Sequence, residues 1–477
     1  MIIGRKEEIR TLERLYESSK AEFIAVYGRR RVGKTYLVGQ TFKNRITFLH
    51  TGLSPIDANK KSLLNSQLDN FYVSLIKAGM QDAPRPGSWF EAFLLLEKHL
   101  ENIDDGSRQI IFIDELPWLD TPKSNFIQAL ESFWNSWGCF RNNLMLIVSG
   151  SSNSWILNNL INSYGGLYNR LTYVMKLSPF TLRECEEYLA SMNVKFSRYD
   201  IVQCYMVLGG IPFYLAALDP QKSLAQNIDA MFFGRNAQFK NEYERLFNSM
   251  FANPEKEKSI VRFLSTRGSG YTRAEISKNT GIPCGGGLSM CLSALTESGF
   301  ILNYVPFGLK KREEHYKLID PFCIFHLDFL HNRKITDEVF WEKNVTGQEL
   351  STWRGLTFEN VCFNHIPQIK KTLGISGVQS TESAWLKKKD DTEGMQIDLI
   401  INRRDNVVNM CELKFYSSDF TVDGNYYRTI LSRAEKLSQM LPKKAVVRST
   451  LITTFGLTKN EYSSVFINTI TMDDLFE

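Results

Sequence analysis

Paired cysteines at metal-binding spacing are missing from this chain. Its eight cysteines are scattered, with no Cys-x-x-Cys and no histidine partner at zinc spacing. That excludes a zinc-ribbon or zinc-finger reading and leaves small buried thiols in a reducing compartment. No apolar run approaches the roughly 18–20 residues that a bilayer-spanning helix needs, so no membrane association is expected. The opening Met-Ile-Ile-Gly-Arg-Lys-Glu-Glu becomes charged too soon for a secretory signal. These absences together predict a cytoplasmic protein. A large surplus of one charge sign is lacking too. The net charge of +5 over 477 residues permits nucleic-acid binding without arguing for it. There are no internal repeats and no low-complexity stretch, which excludes an array architecture.

What is present is ordinary globular material, 43% hydrophobic and 23% charged, enough for several cores. A chain of this length predicts about three domains. Strand signals at 23–27, 46–50, 110–114, 144–149 and 173–177 alternate with helical stretches, notably 7–19, 89–103 and 123–137. That alternation predicts a parallel sheet covered on both faces, the core of a domain over residues 1–180. Helical signals at 181–192, 198–208 and 211–218 predict a lid over 181–250. Three helices (255–266, 272–280 and 288–298), then strands at 300–306 and 315–319 around a charged turn, predict a winged helix over 251–325. Thr272 is its expected N-cap and Gly281 its expected stop. Residues 326–350 read as a helical connector. A last domain, 351–477, reads as helix 356–366, strands 375–380, 396–401 and 407–415, helix 426–441, strand 445–453 and a short tail.

Residues 28 to 35 carry the most specific chemistry. Gly28-Arg29-Arg30-Arg31-Val32-Gly33-Lys34-Thr35 sits between a buried strand and a helix that begins near Tyr36. A strand that turns into a helix there leaves backbone N–H groups converging on one concavity, which suits a triphosphate. Gly28 and Gly33 permit the turn, Lys34 reaches the β- and γ-phosphates, and Thr35 places a hydroxyl on Mg²⁺. Arg29, Arg30 and Arg31 either add positive potential, contact a neighbour or, as the default, are solvated. The strand 109–114 ends in Asp114-Glu115, where Asp114 fits a Mg²⁺ holder and Glu115 a general base for water. Ser149, at the tip of the next strand, is either a γ-phosphate sensor or a turn-starting serine. Arg170 is either a cation aimed at the γ-phosphate or a surface arginine.

Ile3-Gly4-Arg5-Lys6-Glu7-Glu8, the 28–35 loop, Phe112–Leu119, Ser149–Ser152 and Gly209–Leu215 resemble the archaeal-type ATPases within the AAA and signal-transduction ATPase assemblage. The likeness spans about residues 1–240. It implies ATP and Mg²⁺ as cofactors, adenine rather than guanine, and a pocket flanked by Gly4-Arg5 and by Gly210 and Pro212. The family usually carries a glycine where Asn169 precedes Arg170. Tyr316–Phe322 also matches what the family carries after its winged helix.

The presumed recognition helix has Ser289, Ser293 and Thr296 but neither Arg nor Lys, which makes it a poor base reader. Arg273, Lys278, Lys310, Lys311 and Arg312 are the basic residues that would meet phosphate. DNA contact and a rigid-spacer or dimer role stay equally open.

In the last domain, Asp398 lies on one apolar strand, and Glu412 and Lys414 lie two apart on the next. Residues two apart share a sheet face, and an adjacent strand brings Asp398 beside them. Two carboxylates on a hard cation, with an ammonium to steady the transition state, make a phosphodiester-cleaving site. Glu359, on the preceding helix, would complete it. Lys387-Lys388-Lys389 would grip phosphate or stay solvated. The order of elements and the Asp398…Glu412-x-Lys414 pattern resemble the restriction-endonuclease-like PD-(D/E)xK superfamily, with Ile397 where a proline is common. The likeness implies a second Mg²⁺ or Mn²⁺.

The expected fold class is therefore α/β: a P-loop NTPase parallel sheet with a helical lid, a winged helix and a C-terminal restriction-endonuclease-like domain. The expected function is an ATPase acting on nucleic acid, most simply DNA. The alternative is a nucleotide-gated switch with an inactive nuclease fold. A remodelling ATPase, the third class, would require ring assembly, so a homo-oligomer stays open.

Overall fold

A computed structural model describes residues 2–54, 63–81, 83–162, 165–251, 253–333, 335–385 and 396–477. The chain divides into two compact units, Met1–Pro179 with Leu246–Pro254, and Phe180–Arg245 with Glu255–Glu477. The boundary expected at 250/251 therefore falls inside a short segment that groups with the first unit.

The first unit is built on a parallel five-stranded sheet: β1 (Glu22–Tyr27), β2 (Ile46–Thr51), β3 (Gln109–Asp114), β4 (Leu144–Gly150) and β5 (Tyr173–Lys176), in spatial order β2-β3-β4-β1-β5. β3 and β4 are buried along their whole length, which is why their sequences are continuous apolar runs rather than alternating ones. Phe23, Ile111, Ile113, Leu146 and Val148 from the sheet pack with Trp89, Phe93, Phe126 and Phe133 from the Trp89–Asn102 and Phe126–Ser136 helices. The sequence places all five strands to within one residue at each end.

In the second unit, helices Leu182–Ser191 and Arg198–Leu208 each begin with a capping box, Thr181 with Glu184 and Ser197 with Asp200. Helices Pro254–Leu264, Arg273–Thr280 and Gly286–Glu297 then accompany a small antiparallel sheet of β6 (Tyr271–Thr272), β7 (Ile301–Tyr304) and β8 (His315–Leu318), with β8 in the middle. Thr272 caps as expected, and Gly281 ends its helix at φ 70°.

The C-terminal part is a five-stranded mixed sheet of β9 (Ser380–Trp385), β10 (Ile397–Arg403), β11 (Val407–Lys414), β12 (Val446–Thr453) and β13 (Asn468–Thr471), in that spatial order. β9–β10–β11 are antiparallel and β11–β12–β13 parallel.

Several expectations need correction here. Of the strand expected over 375–380, only Ser380 is in a strand, as the first residue of β9. Gly374 at φ 69° ends the Ile366–Thr372 helix, and Val378 N–H donates to Ile375 O in a turn, so pairing begins only at Ser380. The tail contains β13, a strand too short and too polar to show periodicity, followed by the buried Leu475 and Phe476. The helix carrying Glu359 starts at Gln348 and ends at Asn364, crossing the boundary expected at 350. Lys387-Lys388-Lys389 lies outside the described residues. No helix among the described residues is long and apolar enough to cross a membrane.

Candidate nucleotide site and C-terminal acidic cleft

Chain geometry fixes the phosphate-binding loop. Gly28 leaves β1 at φ 150°, and a Cβ there would lie 2.2 Å from Leu177 O, so only glycine fits between the strand end and its neighbour. Gly33, at φ 92°, precedes the Lys34–Thr41 helix and offers it no side-chain cap. The first-turn amides are thus left for a ligand, with the positive end of the helix behind them. Lys34 is buried, and its ammonium donates to Gly28 O (2.9 Å) and Arg29 O (3.1 Å). Burial lowers its pKa, opposed by the nearby Glu115 and Asp114 charges.

The acids converge on the same place. The Thr35 hydroxyl donates to Asp114 Oδ2 at 2.6 Å, which joins the two residues expected around Mg²⁺. β3 pairs with β4 in the register Ile113 to Val148, so Ser149 stands beside Asp114 and its hydroxyl donates to Asp114 Oδ1. Ser149 therefore steadies the Asp114 carboxylate. The sequence does not single out a partner for Glu115. Ser151 supplies one, its N–H at 3.1 Å and its hydroxyl at 2.9 Å from Glu115 Oε2. The Ser149–Ser152 stretch was the available signal.

Other expected participants lie differently. Arg29, Arg30 and Arg31 are not all solvated side chains. Arg29 is buried, the other two are partly buried, and the Arg30 guanidinium lies 5.7 Å from the centre of the Trp118 ring. The loop folds them against the domain instead of projecting them. Val32 is buried core, whereas Tyr36 is exposed. Arg170 is exposed, directly after Asn169 at φ 53°. Arg5 is buried and donates to Ser178 O. Gly210 and Pro212 belong to the second unit, where Gly210 O accepts from Phe180 N–H at 2.8 Å.

Residues 2–218 match the sequence profile of an ATPase domain predominantly from Archaea. This part of the chain is an archaeal-type P-loop ATPase domain. An uncharacterized protein of Methanocaldococcus jannaschii, MJECL04, is 24% identical over 426 residues, covering 87% of this chain and 88% of its own. An uncharacterized ATP-binding protein of the same organism, MJ0423, is 49% identical over 45 residues, 9% of this chain and 76% of its own. Among solved structures, the Walker-type ATPase PABY2304 of Pyrococcus abyssi has a TM-score of 0.44 at 20% identity, over 69% of this chain and 96% of its own.

Beyond the ATPase domain, the mixed sheet forms one wall of a cleft of about 580 Å³. Asp398, Glu412, Lys414, Glu359 and Arg433 line it, with Gln348, Ser351 and Thr352. Leu399 opposes Cys411 across β10 and β11, so the next pair is Asp398 with Glu412. Asp398 Oδ2 accepts from Leu413 N–H at 3.1 Å. Glu412 is buried and heavily partnered: Arg433 pairs with one oxygen, and Tyr426 hydroxyl (2.7 Å) and Lys414 (3.5 Å) with the other. The sequence reading missed Tyr426 and Arg433. Their seven-residue spacing on the Gly424–Gln439 helix, which puts them on one face, was the signal. Glu359 departs from expectation as a third metal ligand. It pairs with Lys317 of β8 at 3.6 Å, and no group of three His, Cys, Asp or Glu side chains among the described residues is placed to hold a metal ion.

Burial, then the Glu412 and Glu359 charges, push the Asp398 carboxyl up to about 6. A raised carboxyl pKa means the folded chain holds this proton longer than the unfolded chain. Stability is therefore lost as pH rises from about 4 through about 6. At pH 7.5, Asp398→Asn is expected to stabilise the metal-free protein, with the gain shrinking toward pH 5. Urea denaturation of both proteins at the two pH values checks this, and a less stable variant at pH 7.5 contradicts it.

Proposed function

We propose that this protein hydrolyses ATP with Mg²⁺ at the 28–35 loop, and that ATP turnover governs a nuclease-like site acting on nucleic acid. The direct bond between Thr35 and Asp114 supports the first half most strongly, because it joins the loop hydroxyl and the strand-tip acid at one point. Mg²⁺, when bound, would supply positive charge that offsets charge developing on the γ-phosphate. Thr35 and Asp114 would hold it. Lys34 moves its ammonium from the loop carbonyls to the β- and γ-phosphates. Glu115 takes a proton from the attacking water after letting go of Ser151. Arg170 remains a candidate for a cation at the γ-phosphate.

On this reading the helices of residues 254–297 with β6–β8 are a winged helix, and the mixed sheet is restriction-endonuclease-like. Asp398 and Glu412 offer the paired hard oxygens that suit Mg²⁺ or Mn²⁺. Lys414 and Arg433 would then face the scissile phosphate. Nucleic acid would meet both the cleft and the wing, where Lys310, Lys311 and Arg312 are exposed. With Mn²⁺ and ATP, the chain is expected to cleave DNA or RNA, and Glu412→Ala to abolish cleavage while leaving ATP hydrolysis intact. Absence of cleavage with any nucleotide state contradicts the nuclease half.

One observation favours a second reading, a nucleotide-gated switch with an inactive nuclease fold. Glu412 is already neutralised by Arg433 and Lys414, and Glu359 by Lys317. Slow turnover, tight nucleotide retention and nucleic-acid or protein binding without cleavage would mark that case.

A further inference from the structure

The cleft that holds Asp398 and Glu412 also holds an aromatic ring left open to solvent. Tyr416, two residues past the end of β11, lines the cleft and is 49% exposed. Single exposed apolar side chains are common on protein surfaces and call for no explanation. This one differs because its position is fixed. Tyr416 N–H donates to Thr454 Oγ1 at 2.9 Å, which ties it to the chain just past β12. Its ring packs 5.4 Å from Phe420, and Phe420 meets Tyr426 edge-on at 5.4 Å. Phe420 is buried, and its N–H and C=O bond to Gly456 O and Thr458 N–H. Tyr426 in turn gives its hydroxyl to Glu412 at 2.7 Å. One run of rings therefore links the open Tyr416 side chain to the buried acid.

The surroundings of that ring suit a nucleotide. Lys414 and Arg433 are both partly exposed beside Glu412. An arginine has five N–H donors and a lysine three, so pairing with one carboxylate leaves both able to meet a backbone phosphate. Ser351 and Thr352 on the Gln348–Asn364 helix add hydroxyls to the cleft, and the exposed Leu356 of the same helix adds apolar surface. The volume of about 580 Å³ falls within the range of small-ligand sites. A second ring, Phe455, lies just past β12, is 42% exposed and is backed by Tyr199 at 5.6 Å. Fixed rings beside cations match unpaired nucleotides. An unpaired base offers its π-face for stacking, whereas a base inside a duplex has both faces covered by its neighbours.

Building on the reading of the cleft as a nucleic-acid site, we propose that Tyr416 is a base-stacking residue and that the cleft takes a single-stranded segment, DNA or RNA, in preference to a duplex. One base lies on the Tyr416 ring, and the phosphate next to it faces Lys414 and Arg433. The segment leaves the cleft toward Phe455, at the end of the adjacent strand β12, which receives a second base. This binding step needs no metal ion and no movement of the surrounding elements. Stacking accepts every base, so the cleft discriminates by strandedness rather than by sequence.

The test is equilibrium binding of a short single-stranded DNA carrying 5-iodouracil, and of its duplex, to the ATP-free full chain in EDTA. Ultraviolet crosslinking and peptide mass spectrometry then locate the base. The single strand is expected to bind more tightly than the duplex and to form its adduct at Tyr416. Tyr416→Ala should lower single-strand affinity roughly 5- to 100-fold, the range for one stacked base, and change duplex binding little. Tyr416→Phe should keep the parental affinity. A purely structural Tyr416 would make single-strand and duplex affinity fall together in Tyr416→Ala, with no adduct at Tyr416 in the parent. That outcome, or parental single-strand affinity in Tyr416→Ala, overturns the stacking role alone when Lys414→Ala still weakens binding. Binding indifferent to Lys414→Ala, or no binding of either form, overturns the nucleic-acid reading of the cleft along with it.

Discussion

Glu115→Gln is expected to lower the kcat of ATP hydrolysis by at least about 100-fold while leaving ATP affinity within a few-fold of the parent. A positioned general base contributes roughly 10²–10⁴ in rate. Glu115 is positioned in an unusual way. Its backbone is left-handed at φ 49°, and its carboxylate is held by the N–H and hydroxyl of Ser151. A non-glycine residue in that region costs about 1–3 kcal/mol and persists only where its surroundings impose it. Glutamine has the same shape, and its amide oxygen still accepts from Ser151, so the turn into Leu116–Trp118 should survive. Asp114 and Thr35 are untouched, so Mg²⁺ and triphosphate should still bind. Phosphate release under saturating Mg·ATP, set beside an equilibrium ATP titration, separates the two effects. A kcat within threefold of the parent would place the base elsewhere.

What the sequence made legible and what it hid divide along a physical line. β1, the loop and the helix after it follow one another in the chain, and their signals are local: a buried apolar run, two glycines, then a helix. β3 ends in Asp114-Glu115 for an equally local reason. The Asp398–Glu412 pairing also follows from strand alternation, because a two-residue period and an antiparallel turn suffice to oppose them. Lys414 apart, the cations that pair with these acids were not legible. Arg433 reaches Glu412 from 21 residues away, and Lys317 meets Glu359 from a different module, so neither contact leaves a local trace. That is why Glu359 reads as a free metal ligand in the sequence and as half of an ion pair in the structure. The three loop arginines mislead in the opposite direction. A run of like charge suggests solvent, yet the loop folds Arg29 into the interior and Arg30 toward Trp118. β13 was missed because four polar-rich residues carry no periodicity, although Ile470 in it is buried.

Every later step depends on the grip of the 28–35 loop on a triphosphate, and Lys34 is where that grip is most exposed to test. The ammonium is buried, its pKa lowered by that burial, and it donates to two loop carbonyls. Exchanging those neutral acceptors for charged phosphate oxygens is the favourable step, since hydrogen bonds to charged groups contribute about 1.5–3 kcal/mol each. Two such bonds correspond to roughly 10²–10⁴ in affinity. Alanine removes the cation, and the amides of the helix start would remain as the weaker part of the site. The most direct measurement is therefore an equilibrium titration of labelled ATP with Mg²⁺ against the parent and Lys34→Ala, with circular dichroism confirming that both are folded. The expected result is saturable binding by the parent and a loss of at least about 100-fold in the variant. Equal binding by the two proteins would contradict the account.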